Sequence, residues 1–573
     1  MPRAWAPGAP LTASAHDDRR EPPAGGIPAK GPGRGRRAAA ALVLLTLAGV
    51  FGVEFAQVGV TNFGGADEWL YLDLTSRGVL GIPYANRPLV LLWHALPAWL
   101  LPGDLRGFWL FTGFYVLLTG ALTVLLARRL APEAPLLGLT AGVFACCWAP
   151  LDYLRLDTVL ICGYAGFTLA SMAAVVVFVE AWSRRRAGWL GVGIALGLVA
   201  ALGVESVLPV LAVAPLIVAG DARREPGRFA RWALAWAAGL VVGASLTLGP
   251  LLLGRPAYQT GALGFDPWPP RVVGRLVQLL SMQAAPLLTS APSELAVPAV
   301  WAGVALFLAG GALLAVRHGR AEGCGYPPRG CGRLAFIGAA LAVSAHLALA
   351  FTPQIRTPAR TQVLSAPGFG LALAALVGGI AGALPRRWRS WATLALGSWV
   401  VAVGTGRVAA MQAEWDEWRS AYPRQRQALA SLVDAVPALE GGTLVLLLDG
   451  GRSFPIGFTF RHALAYLYGP DVVGVVPGTP AFLYPWRFTA DGVTVEPWPA
   501  IRGPWGVDTT RHPWEAVVVA REGEDNRVAI LSHWPRGLPA LPPGVEYAPG
   551  ERRRATPVWP RRRRLALRPE GAR

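Results

Sequence analysis

The feature that most constrains this chain is a series of eleven long runs of Leu, Ala, Val and Gly. They lie near 38–60, 107–127, 135–151, 159–181, 189–203, 207–219, 232–253, 296–316, 334–351, 362–384 and 391–410. A bilayer's hydrocarbon core of about 30 Å takes roughly 20 apolar helical residues, and only helices or closed barrels satisfy the backbone there. The runs lack period-two alternation, which selects helices. The expected fold is an all-α polytopic membrane protein of about eleven transmembrane helices. A composition of 53% hydrophobic and 15% charged residues, with a mean hydropathy of +0.41, excludes a disordered or ordinary soluble chain. Of the five cysteines, Cys146, Cys147 and Cys162 lie inside apolar runs, and Cys324 and Cys331 flank a Pro-Pro turn with no nearby His, so neither a disulfide framework nor a zinc site is expected.

Arginines set the expected orientation. The first 37 residues hold seven Lys/Arg, and alternate loops from Arg128 to Arg389 hold sixteen more, which reads as the cytoplasmic side. The net charge of +18 is then a topology signal plus basic tails rather than a nucleic-acid footprint. The reading divides the chain into a disordered cytoplasmic basic tail (1–37), a transmembrane domain (38–410) with outer loops 61–106 and 254–295, an extracytoplasmic α/β domain (411–550) and a disordered basic tail (551–573). The α/β reading rests on apolar runs such as 443–449 and 514–520 between Gly/Pro turns. The stretch opening that domain, with Trp415 and Trp418, reads as an interfacial amphipathic helix, and Arg271 and Arg275 lie on a second one.

The first outer loop carries the densest chemistry. Asp67 and Glu68 follow a Gly-Gly turn just beyond the first run, and an amphipathic segment leads from them to Asn86-Arg87-Pro88. Residues 89–101 are too few to cross and read as interfacial, with Trp93, His94 and Trp99. Arg155 and Asp157 stand just before the fourth run, and Arg356 and Arg360 before the tenth.

An acidic pair after span one, a Gly-x-Pro-Tyr-x-Asn-Arg-Pro stretch (81–88), an interfacial helix and a span ending Ala-Arg-Arg-Leu together resemble the polyprenyl-phosphate-sugar-dependent, C-class (GT-C) glycosyltransferases. The chain is most similar to their protein O-mannosyltransferase and aminoarabinose-transferase branch. APLDYLRLDTVL (149–160) resembles the family's second outer loop, and ARTQVLSAPGFGLALAAL (359–376) the start of a late span. The pattern departs at Leu89, where a second proline is common, and at Glu205, where some members carry lysine.

The resemblance implies transfer of a sugar from a lipid-linked donor to an envelope acceptor on the outer side. The residues suit that chemistry. A carboxylate can take the proton of an attacking hydroxyl, which makes Asp67 the candidate base with Glu68 as its alternate or as a metal ligand. Arg87, Arg155, Arg356 and Arg360 are candidates to clamp the donor phosphate, since a guanidinium fork matches its oxygens. Asp157 would orient one of them or share a divalent cation, Mg²⁺ or Mn²⁺, with Asp67. No Gly-rich phosphate loop or dinucleotide fingerprint is present, which disfavours a nucleotide-sugar enzyme or an ATP-driven pump. Two rivals remain: a lipid or solute transporter using Glu54, Glu205 and His346, and a catalytically inactive scaffold of the same fold.

Overall fold

A computed structural model describes residues 33–60, 62–63, 67–82, 87–148, 156–253, 265–319, 328–353, 359–414, 416–481, 483–497, 508–552 and 566–567. The chain opens with α1 (Gly33–Phe55), then two short helices, α2 (Glu68–Ser76) and α3 (Leu92–Leu100). The bundle continues with α4 (Arg106–Leu130), α5 (Pro135–Cys146), α6 (Thr158–Arg184) and α7 (Ala187–Gly203). Next come α8 (Glu205–Ala222), a 3-10 turn running into two short helices, α9 (Pro226–Thr247) and the amphipathic α10 (Pro269–Ala284). It closes with α11 (Pro298–Gly319), α12 (Pro328–Ala350), α13 (Ala359–Ala383) and α14 (Arg386–Glu414).

Among the described residues, nine of these helices are long and apolar enough to cross a membrane. The protein is a multi-pass membrane protein. The runs at 135–151 and 189–203 form the shorter α5 and α7, of 12 and 17 residues. In α5 every side chain from Leu136 to Cys146 is buried, so its backbone is enclosed by neighbouring helices and need not reach both faces of a bilayer. Helices α12 and α13 cross at Gly338 and Gly368, where a Cβ would come within 2.5 Å and 2.3 Å of the other helix's backbone. Small residues at such crossings let helices pack without a hydrophobic drive between them.

After α14 the chain leaves the bundle as α15 (Asp416–Ala435) and builds an α/β domain. Its sheet runs β2 (Val473–Val475), β1 (Leu444–Leu448), β6 (Val517–Glu522), β7 (Val528–Ile530). Strand β1 is parallel to both neighbours and β7 is antiparallel to β6. Helix α16 (Gly457–Tyr468) links β1 to β2, the crossover that parallel strands require. A second, antiparallel sheet joins β3 (Trp486–Thr489), β4 (Gly492–Val495) and β5 (Thr510–Pro513).

Two expectations change here. The apolar face of α15, with Leu429, Leu432 and Val433, is buried in the core shared with α16 and β1 rather than laid on an interface. Trp415 and the side chain of Trp418 lie outside the described residues. Within the segment assigned to a disordered basic tail, Ala566 and Leu567 are buried, and the Tyr422 hydroxyl donates to the Ala566 carbonyl. The arginine run preceding them hid two apolar residues that the core accepts.

Candidate active site

The site is assembled by α2, the N-terminus of α6 and the antiparallel bridge of Ile82 with Arg87 before α3. Residues just past α1 stitch two loops together: Asn62 Nδ2 donates to the Leu156 carbonyl at 3.2 Å, and the Thr158 amide donates to the Asn62 carbonyl at 3.2 Å. Helix α3 is seated against α6 by glycines. A Cβ on Gly163 would meet the His94 ring at 2.3 Å, and one on Gly166 would meet Trp93 at 2.2 Å. His94 Nε2 donates to the Val159 carbonyl at 2.9 Å and its ring lies 4.6 Å from that of Tyr71. Burial pulls the His94 pKa down to about 4, so the imidazole is neutral.

Asp157 caps α6. Its Oδ1 accepts from the amides of Val159 and Leu160 at 3.0 and 2.8 Å, the usual way a carboxylate satisfies a helix's first donors. The same side chain shares a hydrogen bond with Glu68 from the first turn of α2. Both are buried, Glu68 to 0% and Asp157 to 1% exposure. Burial, then the charge of Glu68, holds the Asp157 carboxyl well above the usual carboxylate range. Two carboxyls this close and this dry cannot both ionise cheaply, which is why Asp157 favours its protonated form.

Asp67, next to Glu68, begins α2, is only half-buried and accepts from the Tyr71 hydroxyl at 3.3 Å. The site thus holds two kinds of carboxyl: a fully buried pair, and one that is only half-buried. Among the described residues no group of three or more His, Cys, Asp or Glu is placed to hold a metal ion, so the suggested Asp67–Asp157 cation site gains no third ligand.

Arg87 is committed to a partner. Its Nε and Nη2 donate to the two carboxylate oxygens of Glu205 at 2.8 and 2.6 Å, a bidentate pair at the α7–α8 junction. Burial opposes the charge on Arg87, but Glu205 outweighs it and the guanidinium pKa rises. The sequence offered Glu205 as a departure from a pattern and as a residue of a possible transport path, not as the partner of Arg87. A lone acid between two apolar helices was the available signal that a cation had to reach it. Arg155 and Arg356 lie outside the described residues, as does the side chain of Arg360 at the start of α13. On α10, Arg271 and Arg275 both bind Asp266, and Arg275 Nη1 also donates to the Ala350 carbonyl at 3.1 Å. That helix is pinned to the bundle by Gln283, which meets His346 Nε2 at 2.7 Å and donates to the Gln362 carbonyl at 3.2 Å.

The opposite face of α2 docks on the α/β domain through contacts that sequence reasoning missed. Trp69 Nε1 donates to Gln425 Oε1 at 2.8 Å. Asp73 Oδ2 receives both His462 Nδ1 and Arg77 Nη2 at 2.8 Å, and His462 Nε2 meets the Tyr484 hydroxyl at 3.0 Å. A hollow of about 340 Å³ opens beside α2, lined by Leu72, Ser76, Trp99, Leu105, Phe108 and Tyr466. Leu72 and Ser76 follow Glu68 at four-residue steps, on one helix face.

No family model matches the chain, and no curated protein matches it. Two crystal structures of ArnT from Cupriavidus metallidurans, one bound to undecaprenyl phosphate and one in the apo state, are similar over 76% of this chain and 86% of theirs. Their sequence identities are 14% and 16%, with TM-scores of 0.41 and 0.39. At those values neither carries a residue role to this chain.

Proposed function

We propose that this protein is an integral-membrane glycosyltransferase of the GT-C type, moving a sugar from a polyprenyl-phosphate carrier to an acceptor hydroxyl on the extracytoplasmic side. The observation that carries the reading is the half-buried Asp67 beside the buried Glu68–Asp157 pair, at the start of a short helix whose Leu72 and Ser76 line a hollow of about 340 Å³. In the reaction the acceptor oxygen bonds to the anomeric carbon, the bond from that carbon to the phosphate oxygen breaks, and its electron pair leaves with the carrier phosphate. Asp67 takes the acceptor's proton. The Glu68–Asp157 pair fixes α2 against α6 and limits negative charge near an anionic donor. The phosphate falls to Arg155, Arg356 and Arg360, because Arg87 is already neutralised by Glu205.

Two of the three polar residues that a transport path would use, Glu205 and His346, are engaged internally, which favours transfer over transport. Glu205 holds Arg87, and His346 bonds Thr361 Oγ1 at 3.1 Å and Gln283 at 2.7 Å. Proteoliposomes supplied with undecaprenyl-phosphate-linked sugars and an envelope fraction test the reading. Wild-type protein should release free carrier phosphate and label an acceptor, and Asp67→Asn should do neither while remaining folded. Full transfer by that variant would remove the proposed base, and carrier flipping without a new glycosidic bond would establish the rival.

A further inference from the structure

A second polar feature lies in the α/β domain, away from the carboxyl pair. Helix α16 begins at Gly457 with no side chain capping its first turn. Beside that turn is a hollow of about 10 Å³, bordered by Gly457, Arg461, Thr479, Ala481, Tyr484 and Trp486. The approach is close: a Cβ on Gly457 would fall 2.9 Å from Thr479 Oγ1. Space of that size admits about one water-sized group.

Arg461 lines the hollow with only 6% of its surface exposed, and its Nη1 has no hydrogen-bond partner among the described residues. Its guanidinium stacks on the Tyr484 ring at 4.3 Å, which supports the charge from one face and leaves the edge donors unmet. An unpaired buried cation is costly, so the site is built for something that repays it. The neighbouring charges say what. Asp73 and Arg77 are the acid and base that act on Arg461, and Asp73 Oδ2 is already bound by Arg77 and His462. Burial keeps His462 neutral. Two guanidiniums against one carboxylate leave a single positive charge unbalanced.

We propose that this hollow receives one oxygen of a ligand's carboxylate group, placed on Arg461 Nη1 with its charge facing the N-terminus of α16. A monovalent oxyanion balances the local charge, whereas a phosphate dianion would overshoot it. The rest of the ligand lies outward over Thr479 and Ala481, which are partly exposed. The assignment does not rest on the transferase reading, since none of these residues belongs to the carboxyl site.

The test uses the full chain in detergent, titrated with sodium formate and acetate, and with chloride and phosphate at matched ionic strength. Thermal unfolding and Trp fluorescence, to which Trp486 contributes, give the readout. Formate and acetate should raise the unfolding midpoint saturably by a few degrees. Arg461→Met and Ala481→Trp, the second filling the hollow from its rim, should both lose that rise. If Arg461→Met does not fold, Ala481→Trp decides alone. A rise retained in either folded variant, a rise given by chloride or phosphate but not by carboxylates, or no saturable rise at all overturns the proposal.

Discussion

Glu68 and Asp157 meet from two different loops, one in the first turn of α2 and the other capping α6, and they share a hydrogen bond while fully buried. Their proton has consequences for stability as well as for charge. Because the Asp157 pKa is raised on folding, its contribution is fully present below the ordinary aspartate pKa and is lost as pH rises through the elevated value. Wild-type protein should therefore lose stability as pH rises above the ordinary aspartate range. Asp157→Asn keeps a capping side chain without a titrating proton and should flatten that decline in unfolding midpoint against pH.

Glu68→Gln tests the site differently. A neutral amide can still hydrogen-bond Asp157 but cannot carry the pair's negative charge. If the pair only orders α2, transfer should persist within about tenfold. If Glu68 itself takes the proton, the rate should fall by about 10²–10⁴, the usual span for general-base removal. Measuring Asp67→Asn beside it assigns the base to one of two adjacent acids.

The Arg87–Glu205 pair is a structural clasp with side-chain exposures of 17% and 21%. Arg87→Met or Glu205→Met should cost roughly 1–3 kcal/mol, between surface pairs and fully buried ones. Replacing both residues with Met should recover part of the loss. Additive losses in a double-mutant cycle, read by denaturation in detergent, would contradict the clasp.

His462 joins the α/β domain to α2 through Asp73, and burial lowers its pKa. For a histidine whose pKa falls on folding, stability is present above the unfolded value of about 6.5 and is lost as pH drops through the folded value. Acidification below about pH 6.5 should loosen α2 from α16, seen as faster amide exchange in both helices. In His462→Gln that pH dependence should shrink, although docking itself will weaken.

Packing at α6 offers a test independent of charge. Gly166→Ala places a methyl group against Trp93 and should destabilise by about 1–3 kcal/mol. Combining it with Trp93→Leu should restore part of the midpoint, because a smaller side chain yields the space.

The apolar runs were legible because a bilayer demands length and composition that few other environments require. Eleven runs correspond to eleven helices, although length alone could not reveal that α5 is short and enclosed. Strands β1 and β6 were visible as apolar runs at 443–449 and 514–520. Asp67, Glu68 and Asp157 stood out because acids are expensive beside a membrane. What stayed hidden was partnership: Asp157 pairs with Glu68 across some ninety residues of sequence, and Arg87 with Glu205 across 118. Nothing local encodes such separations. Asp73 and His462 escaped notice for the same reason, each looking like an ordinary polar residue on an amphipathic helix until α16 and α2 were brought face to face.

That α2 is held on one flank by α6 and on the other by α16 makes it a lever with two handles. A molecule captured by the α/β domain would be felt nine residues or fewer away, at the acids that begin the same short helix. Cutting the chain after α14 would therefore not liberate a smaller working unit. It would strip Trp69 of Gln425 and Asp73 of His462, and the truncated bundle would forfeit one of the two supports that align its carboxyls.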